Sequence, residues 1–427
     1  MPHAVPRRLA RLLRGRLHYA WVAAAATFLA LLVSAGVRGM PGVLLVPLQR
    51  DMGWDRATIS FAISVGIALY GLTGPFAGAI MQSIGIRRTT LLALVLLALS
   101  VASTTLVHHP WQMVLTWGVL TGLGTGMVAG VLGATVVGRW FRKDRGLAMG
   151  ILTASTATGQ LAFLPLLALL IEHMGWRGAT LCAAAATALV VPVVWLLLPD
   201  HPIDLDLPPY GASEPEPPRP TLGNPLFLAF AVLGRGLRHP TFWLLASSFF
   251  VCGMSTNGLV GTHLIPLCVD HGLPEVDAAG LLAAMGVLDL FGTTFSGWLS
   301  DRFDNRFLLA WYYGLRGLSL IYLPYSDFSF EQLSLFALFY GLDWIATVPP
   351  TVRLTADTFG EHDAPILFGW IAAGHQLGAA TAALGAGILR GEYQSYLQSF
   401  LIAGAACVLI AAVLSTAATL RRRSQPA

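Results

Sequence analysis

The chain has 427 residues, of which 55% are hydrophobic and 11% charged, with a formal net charge of +4. Soluble domains carry about 25% charged residues, so this chain has too little polar surface to cover itself in water. That excludes an ordinary soluble protein and predicts an all-α integral membrane protein, because backbone polar groups in lipid must be satisfied within the span itself.

About twelve apolar spans follow in chain order, near 19–47, 56–82, 88–106, 110–138, 146–172, 177–198, 240–268, 277–300, 307–324, 330–357, 363–389 and 396–419. Each approaches the roughly 20 residues that a helix needs to cross a bilayer. The first carries Arg38 inside the run LLVSAGVRGMPGVLL, the second Tyr70 and the fifth Gln160. A polar stretch, DHPIDLDLPPYGASEPEPPRP, follows the sixth span and reads as a linker. The next stretch, LGNPLFLAFAVLGRGLRH, reads as a helix on the membrane surface. The expected organisation is a six-helix bundle over 1–199, a linker over 200–238 and a second six-helix bundle over 239–427. The later spans carry Asn257, Asp289, Arg316, Asp343 and His375. An ionisable side chain within a span is a functional candidate by default, because burying it in lipid is costly.

The cations are nearly all arginine, Lys143 being the single lysine, and they cluster in alternate connections. The other connections hold Arg50, Arg56, Arg177 and Arg390. The positive-inside rule therefore places both termini in the cytoplasm, which requires an even number of spans; the expected location is the inner, cytoplasmic membrane. Cys182, Cys252, Cys268 and Cys407 show no CxxC spacing, so neither a zinc site nor a disulfide scaffold is expected. With no phosphate loop, metal cluster or nucleophile elbow, no cofactor, catalytic site or nucleic-acid partner is called for.

One shift of 219 residues overlays the two halves. VPLQRDMG (46–53) meets IPLCVDHG (265–272), and GAIMQSIGIRR (78–88) meets GWLSDRFDNRF (297–307). Gly150 and Gly159 meet Gly369 and Gly378. Two similar halves with a ligand site at their interface form a transporter architecture.

GWLSDRFDNR resembles the loop motif of the major facilitator superfamily, with Gly297, Asp301, Arg302 and Arg306 as its gating residues. GAIMQSIGIRR is a degraded copy with Gln82 where the acid usually stands. RWFRKDRGLAMGILTASTATG (139–159) and AAGLLAAMGVLDL (278–290) are similar to the fifth- and eighth-helix signatures of the monocarboxylate transporters, and HYAWV (18–22) to the tail of their first-helix signature. Bacterial oxalate:formate antiporters lie in the same neighbourhood. The resemblance implies a major-facilitator fold whose first, seventh and tenth helices line a central cavity.

Arg38 then stands at or beside the family's substrate-binding lysine, with Asn257 its counterpart in the repeat. A guanidinium is matched to a carboxylate; an arginine snorkelling to the surface is the alternative. Tyr70, Gln160, Asn257 and His375 are further substrate-binding candidates, each of which could instead be helix packing. Asp289, Asp343 and Arg316 are the proton-coupling candidates. The family's arginine one turn after the eighth-helix aspartate is here Thr293. Asp289 and Arg316 both lie about 14–17 Å from the inner ends of their spans at 1.5 Å per residue. Arg316 is therefore expected to pair first with Asp289 and second with Asp343, and a purely structural tether is the alternative use of such a pair.

These residues predict a secondary transporter that moves a small organic anion with protons across a lipid bilayer, most simply monocarboxylate symport. Anion exchange of the oxalate:formate type, efflux of an organic solute, and a non-transporting sensor are the competing readings. An enzyme is not expected.

Overall fold

The computed structural model describes residues 4–13, 17–214 and 225–424, without the side chains of some helical residues, Gln160 among them. Helix α1 runs Tyr19–Gly39 and resumes as Pro41–Met52; α2 is Arg56–Ile84, α3 Ile86–Thr104 and α4 Pro110–Trp140. Helices α5 (145–174) and α6 (176–197) are parted at the non-helical backbone of Gly175. After the linker come α7 Pro240–Asp270, α8 Glu275–Ser300, α9 Asn305–Tyr322 and α10 Phe330–Gly360. Gly360 is again non-helical, separating α10 from α11 (361–393), and α12 is Leu397–Ser424. Nine segments of the described chain are long and apolar enough to cross a bilayer. Helices α9 and α11, and the division of α5 from α6 at Gly175, bring the long helices of the described chain to twelve. An even number puts both ends of the described chain on one face, termed here the near face.

The repeat is visible in the backbone. Gly53 and Gly272, 219 residues apart, both end a helix with positive φ, 68° and 86°. Gly175 and Gln394, at the same separation, do so at the α5–α6 and α11–α12 junctions, with φ of 73° and 53°. Both halves also interrupt their first helix midway. In α1 the break falls at Met40–Pro41, where proline has no N–H to give. In α7 the equivalent stretch, Met254–Val260, is π-helical, a widening that often marks functional sites.

The far face is held by ion pairs. Arg56 of α2 grips both carboxylate oxygens of Asp270 of α7 at 2.6 and 2.7 Å, and Arg390 of α11 adds a bond of 2.8 Å to Asp270. Arg50 of α1 reaches Glu275 of α8 at 3.4 Å, while Arg177 and Trp176 hold Asp51. All four arginines that depart from the positive-inside pattern are thus engaged with acids. Behind this latch His263 bonds Tyr396 at 3.0 Å and the Ala383 carbonyl at 2.8 Å, which engages both ring nitrogens, and it is not a lining residue of the cavity described below. Among the described residues, the ion pairs that join α1–α6 directly to α7–α12 lie at this face. Asp270→Asn removes the charge that Arg56 and Arg390 share. The expected outcome is a longer mean α2–α7 distance at the far face between spin labels; an unchanged distribution would show that the pair does not hold that end shut.

At the near face the sequence motif takes an unforeseen form. Gln82 is exposed. A carboxylate from elsewhere, Asp200 just after α6, stands beside the motif: the Arg87 backbone N–H donates to Asp200 Oδ1 at 2.9 Å, and Arg139 donates to the Asp200 backbone carbonyl at 3.3 Å. Gly85 permits this, with φ 92° and no room for a Cβ, which would sit 2.5 Å from that same carboxylate oxygen. Burial and the neighbouring Arg139 hold the His201 imidazole below its ordinary pKa. Tyr210 is bridged to Phe141 at the end of α4, so the first part of the linker lies against the bundle. The stretch expected to lie on the membrane surface is helical over Pro225–Gly236; Phe230 contacts Phe76 of α2 and Trp370 of α11, and Arg235 pairs with Asp363 at 2.7 Å.

Candidate central cavity

Residues of α1, α2, α4, α5, α7, α8, α10 and α11 enclose a cavity of about 390 Å³ between the halves. Arg38 enters it one residue before the end of the first α1 segment. Its Nη1 donates to the Tyr70 hydroxyl at 2.8 Å, and the guanidinium carbon lies 5.0 Å from the centroid of that ring. Among the described residues no carboxylate lies within ion-pairing distance of Arg38. Tyr70 accepts from Arg38, so its own O–H is available to a ligand.

The opposite wall is built around a break in α10. Residues 344–347 leave the helix, just before Pro349 and Pro350, and so expose backbone groups inside the membrane-spanning region. Such groups need partners, and two charged side chains supply them. Fully buried Arg316 of α9 donates to the carbonyls of Asp343 at 2.5 Å and Trp344 at 3.0 Å. Asp289 of α8 accepts the Ile345 N–H at 2.8 Å on Oδ1. The same oxygen accepts the Thr293 hydroxyl at 2.8 Å, at the position where the related family places arginine.

This arrangement corrects the expected order of pairing. Arg316 is paired with Asp343, Nε to Oδ2 at 2.7 Å, and not with Asp289. Equal depth fixed only height; the break in α10 fixed the direction in which each side chain turns. Arg316 also bonds Cys252 Sγ of α7 at 2.9 Å, and Cys252 meets the Thr347 hydroxyl at 3.3 Å. One guanidinium thus ties α9, α10 and α7 together. Asp343 Oδ1 is buried with no hydrogen-bond partner among the described residues.

Asn257 and His375 line the cavity with Arg38, Tyr70 and Asp289. The Asn257 carbonyl accepts from Thr262 at 2.9 Å, and the His375 ring lies 4.9 Å from Phe249. Arg316 and Asp343 stand behind the wall and are not among the lining residues. The side chain of Gln160 lies outside the described residues. Cys252 and Gln376 also line the cavity, and the sequence had singled out neither for a site. Gln376 carried one usable signal, its place beside His375 in an intramembrane run of small residues. Close approach of α7 to α11 keeps these groups together: a Cβ on Gly253 would meet the His375 carbonyl oxygen at 1.7 Å.

The family profile described as Major Facilitator Superfamily matches residues 27–347. The chain belongs to the Major Facilitator Superfamily. As a facilitator it is 26% identical over 404 residues to Monocarboxylate transporter 13 of Rattus norvegicus, covering 93% of this chain and 89% of that one. It is 26% identical over 427 residues to Monocarboxylate transporter 12 of Homo sapiens, with 95% and 81% covered. To the uncharacterized MFS-type transporter YcxA of Bacillus subtilis it is 25% identical over 370 residues, with 83% and 84% covered. A solved bacterial homolog of the human lysosomal transporter Spinster, inward-facing and unoccupied, matches with a TM-score of 0.76 at 17% identity. That match covers 97% of this chain and 100% of the other and shows the shared fold.

The facilitator loop motif lies at the near face, away from the cavity. Asp301 reaches Arg353 at 3.7 Å, and Arg353 also meets Asp357 at 3.4 Å. Arg302 lies over the Trp298 ring at 4.1 Å, and the Arg306 N–H donates to Asp304 at 2.9 Å. Gly297 sits where an added Cβ would meet nothing within 4 Å, so packing does not require glycine there.

Proposed function

We propose that this facilitator is a secondary active transporter of a small organic anion, moving a monocarboxylate with a proton by alternating access. The observation that carries the reading is Arg38: a guanidinium in the central cavity, oriented by Tyr70, with no protein carboxylate to neutralise it among the described residues. A bound carboxylate completes that charge and matches the fork of donors. Asn257 and His375 supply further polar contacts from the opposite half, with Gln160 a candidate from α5. Asp289, Asp343 and Arg316 are the groups assigned to proton coupling, with Asp289 at the cavity wall and the other two behind it. Asp301, Arg302, Arg306 and Gly297 serve the near-face gate. The bundles comprise 1–199 and 239–427, joined by 200–238, in the cytoplasmic membrane with both termini cytoplasmic. Two of the relatives are named monocarboxylate transporters, which favours the same substrate class. Dicarboxylate exchange calls for a second cation, and His375 is the cavity group that could become one.

The test is uptake of labelled lactate, pyruvate and oxalate into proteoliposomes with and without an inward proton gradient. The expected result is gradient-stimulated uptake of a monocarboxylate. Oxalate uptake that depends on internal formate and ignores the gradient would support exchange instead.

A further inference from the structure

Arg38 and Asp289 line one cavity from opposite halves, and they are not used alike. Asp289 spends Oδ1 on Ile345 and Thr293. Its Oδ2 has no hydrogen bond among the described residues, and Asp289 lines the cavity. The cation expected to neutralise it, Arg316, is paired with Asp343 instead. Among the described residues the cavity thus presents a cation with no ion-paired anion on one wall and an anion with no ion-paired cation on the other.

Resting on the carboxylate-binding role proposed for Arg38, we infer that the cavity takes a zwitterion, an amino carboxylate whose carboxylate meets Arg38 and Tyr70 and whose ammonium meets Asp289. Charge balance connects this to proton coupling. With Arg38 cationic and Asp289 ionised, these two groups sum to zero. A monocarboxylate adds one negative charge, and a proton on Asp289 restores zero. A zwitterion adds none and needs no proton. Proton and ammonium therefore compete for Asp289, and one carrier moves a simple acid with a proton and an amino acid without one. The other ionisable groups around Asp289 are Arg38, His375 and Cys252 at the cavity and Arg316 and Asp343 behind it. Arg316 and Asp343 are paired with each other, which leaves Asp289 as the wall's open carboxylate. The apolar remainder, including Trp117, Phe249, Leu282 and Phe368, suits an aliphatic or aromatic body beside or between the charged groups.

The experiment uses purified full-length protein and compounds matched in carbon skeleton. These are propanoate with alanine, 4-methylpentanoate with leucine, 3-phenylpropanoate with phenylalanine, and butanoate with 4-aminobutanoate. Binding is measured by calorimetry on wild type, Asp289→Asn and Arg38→Gln. Asparagine retains the carbonyl oxygen that Ile345 and Thr293 need, and monodisperse elution checks folding. For at least one skeleton the amino acid should bind wild type. In Asp289→Asn it should lose roughly 10- to 100-fold more affinity than its matched acid, the worth of a charge-assisted hydrogen bond. In proteoliposomes that amino acid should enter without proton movement, while the matched acid carries one. If acids bind in an Arg38-dependent way but none of the amino acids does, or if Asp289→Asn weakens both members equally, the zwitterion inference is overturned and the organic-anion reading stands. If no compound binds, or Arg38→Gln changes nothing, both fail.

Discussion

Asp343→Asn is expected to lower the yield of folded protein more than Arg316→Gln, and the double substitution is expected to be milder than Asp343→Asn alone. The asymmetry follows from chemistry. Arg316 is fully buried and cannot shed its proton. Removing Asp343 leaves a full positive charge hydrogen-bonded, among the described residues, to two carbonyls and the Cys252 sulfur, with the Tyr313 and Tyr340 rings beside it and no carboxylate in direct contact. Removing Arg316 leaves an aspartate that can take a proton and become neutral, at the cost of the hydrogen bonds to the α10 break. Breaking one side of a buried pair costs about 3–5 kcal/mol, whereas replacing both sides together is often close to neutral. Arg316→Gln retains an amide that can still donate to one of the Asp343 and Trp344 carbonyls. Size-exclusion yield and thermal midpoint of the three variants provide the measurement. A double variant as damaged as Asp343→Asn would mean that the α10 break, and not charge balance, sets the stability of this region.

The Arg38 series is expected to separate charge from geometry. Arg38→Lys keeps the charge but loses the planar fork and the contact with Tyr70, so transport should weaken without vanishing. Arg38→Gln should lower transport by roughly 30-fold or more, since truncating one side of a hydrogen-bonded charge pair costs about 2–5 kcal/mol. Tyr70→Phe removes the acceptor that aims the guanidinium and leaves the ring; it should fall between wild type and lysine. Initial uptake rates at equal amounts of reconstituted protein give the order. Equal rates for lysine and glutamine would show that the charge itself is not used.

Arg38 was legible in the sequence because a charge in an apolar run stands out against the cost of placing it there. The repeat was legible because paired prolines and glycines mark paired helix ends, and Gly53 and Gly272 do share a left-handed backbone. The partner of Arg316 was not legible. Spacing along two antiparallel spans gives height, whereas the pairing depended on which backbone groups the break in α10 left open. Asp200 was missed for another reason. It opens a segment rich in proline and acid that reads as linker, and it meets Arg87 only through tertiary folding. Cys252 carried no signal because a lone cysteine in an apolar run looks like packing, and only the approach of α9 to α7 brings it to Arg316.

The most direct test of the carboxylate-binding cavity is the affinity of purified, monodisperse Arg38→Gln protein for the monocarboxylate that wild type transports. The account predicts loss of binding by roughly 30-fold or more, with the elution profile unchanged. Affinity equal to that of wild type would contradict it and leave Arg38 a structural residue.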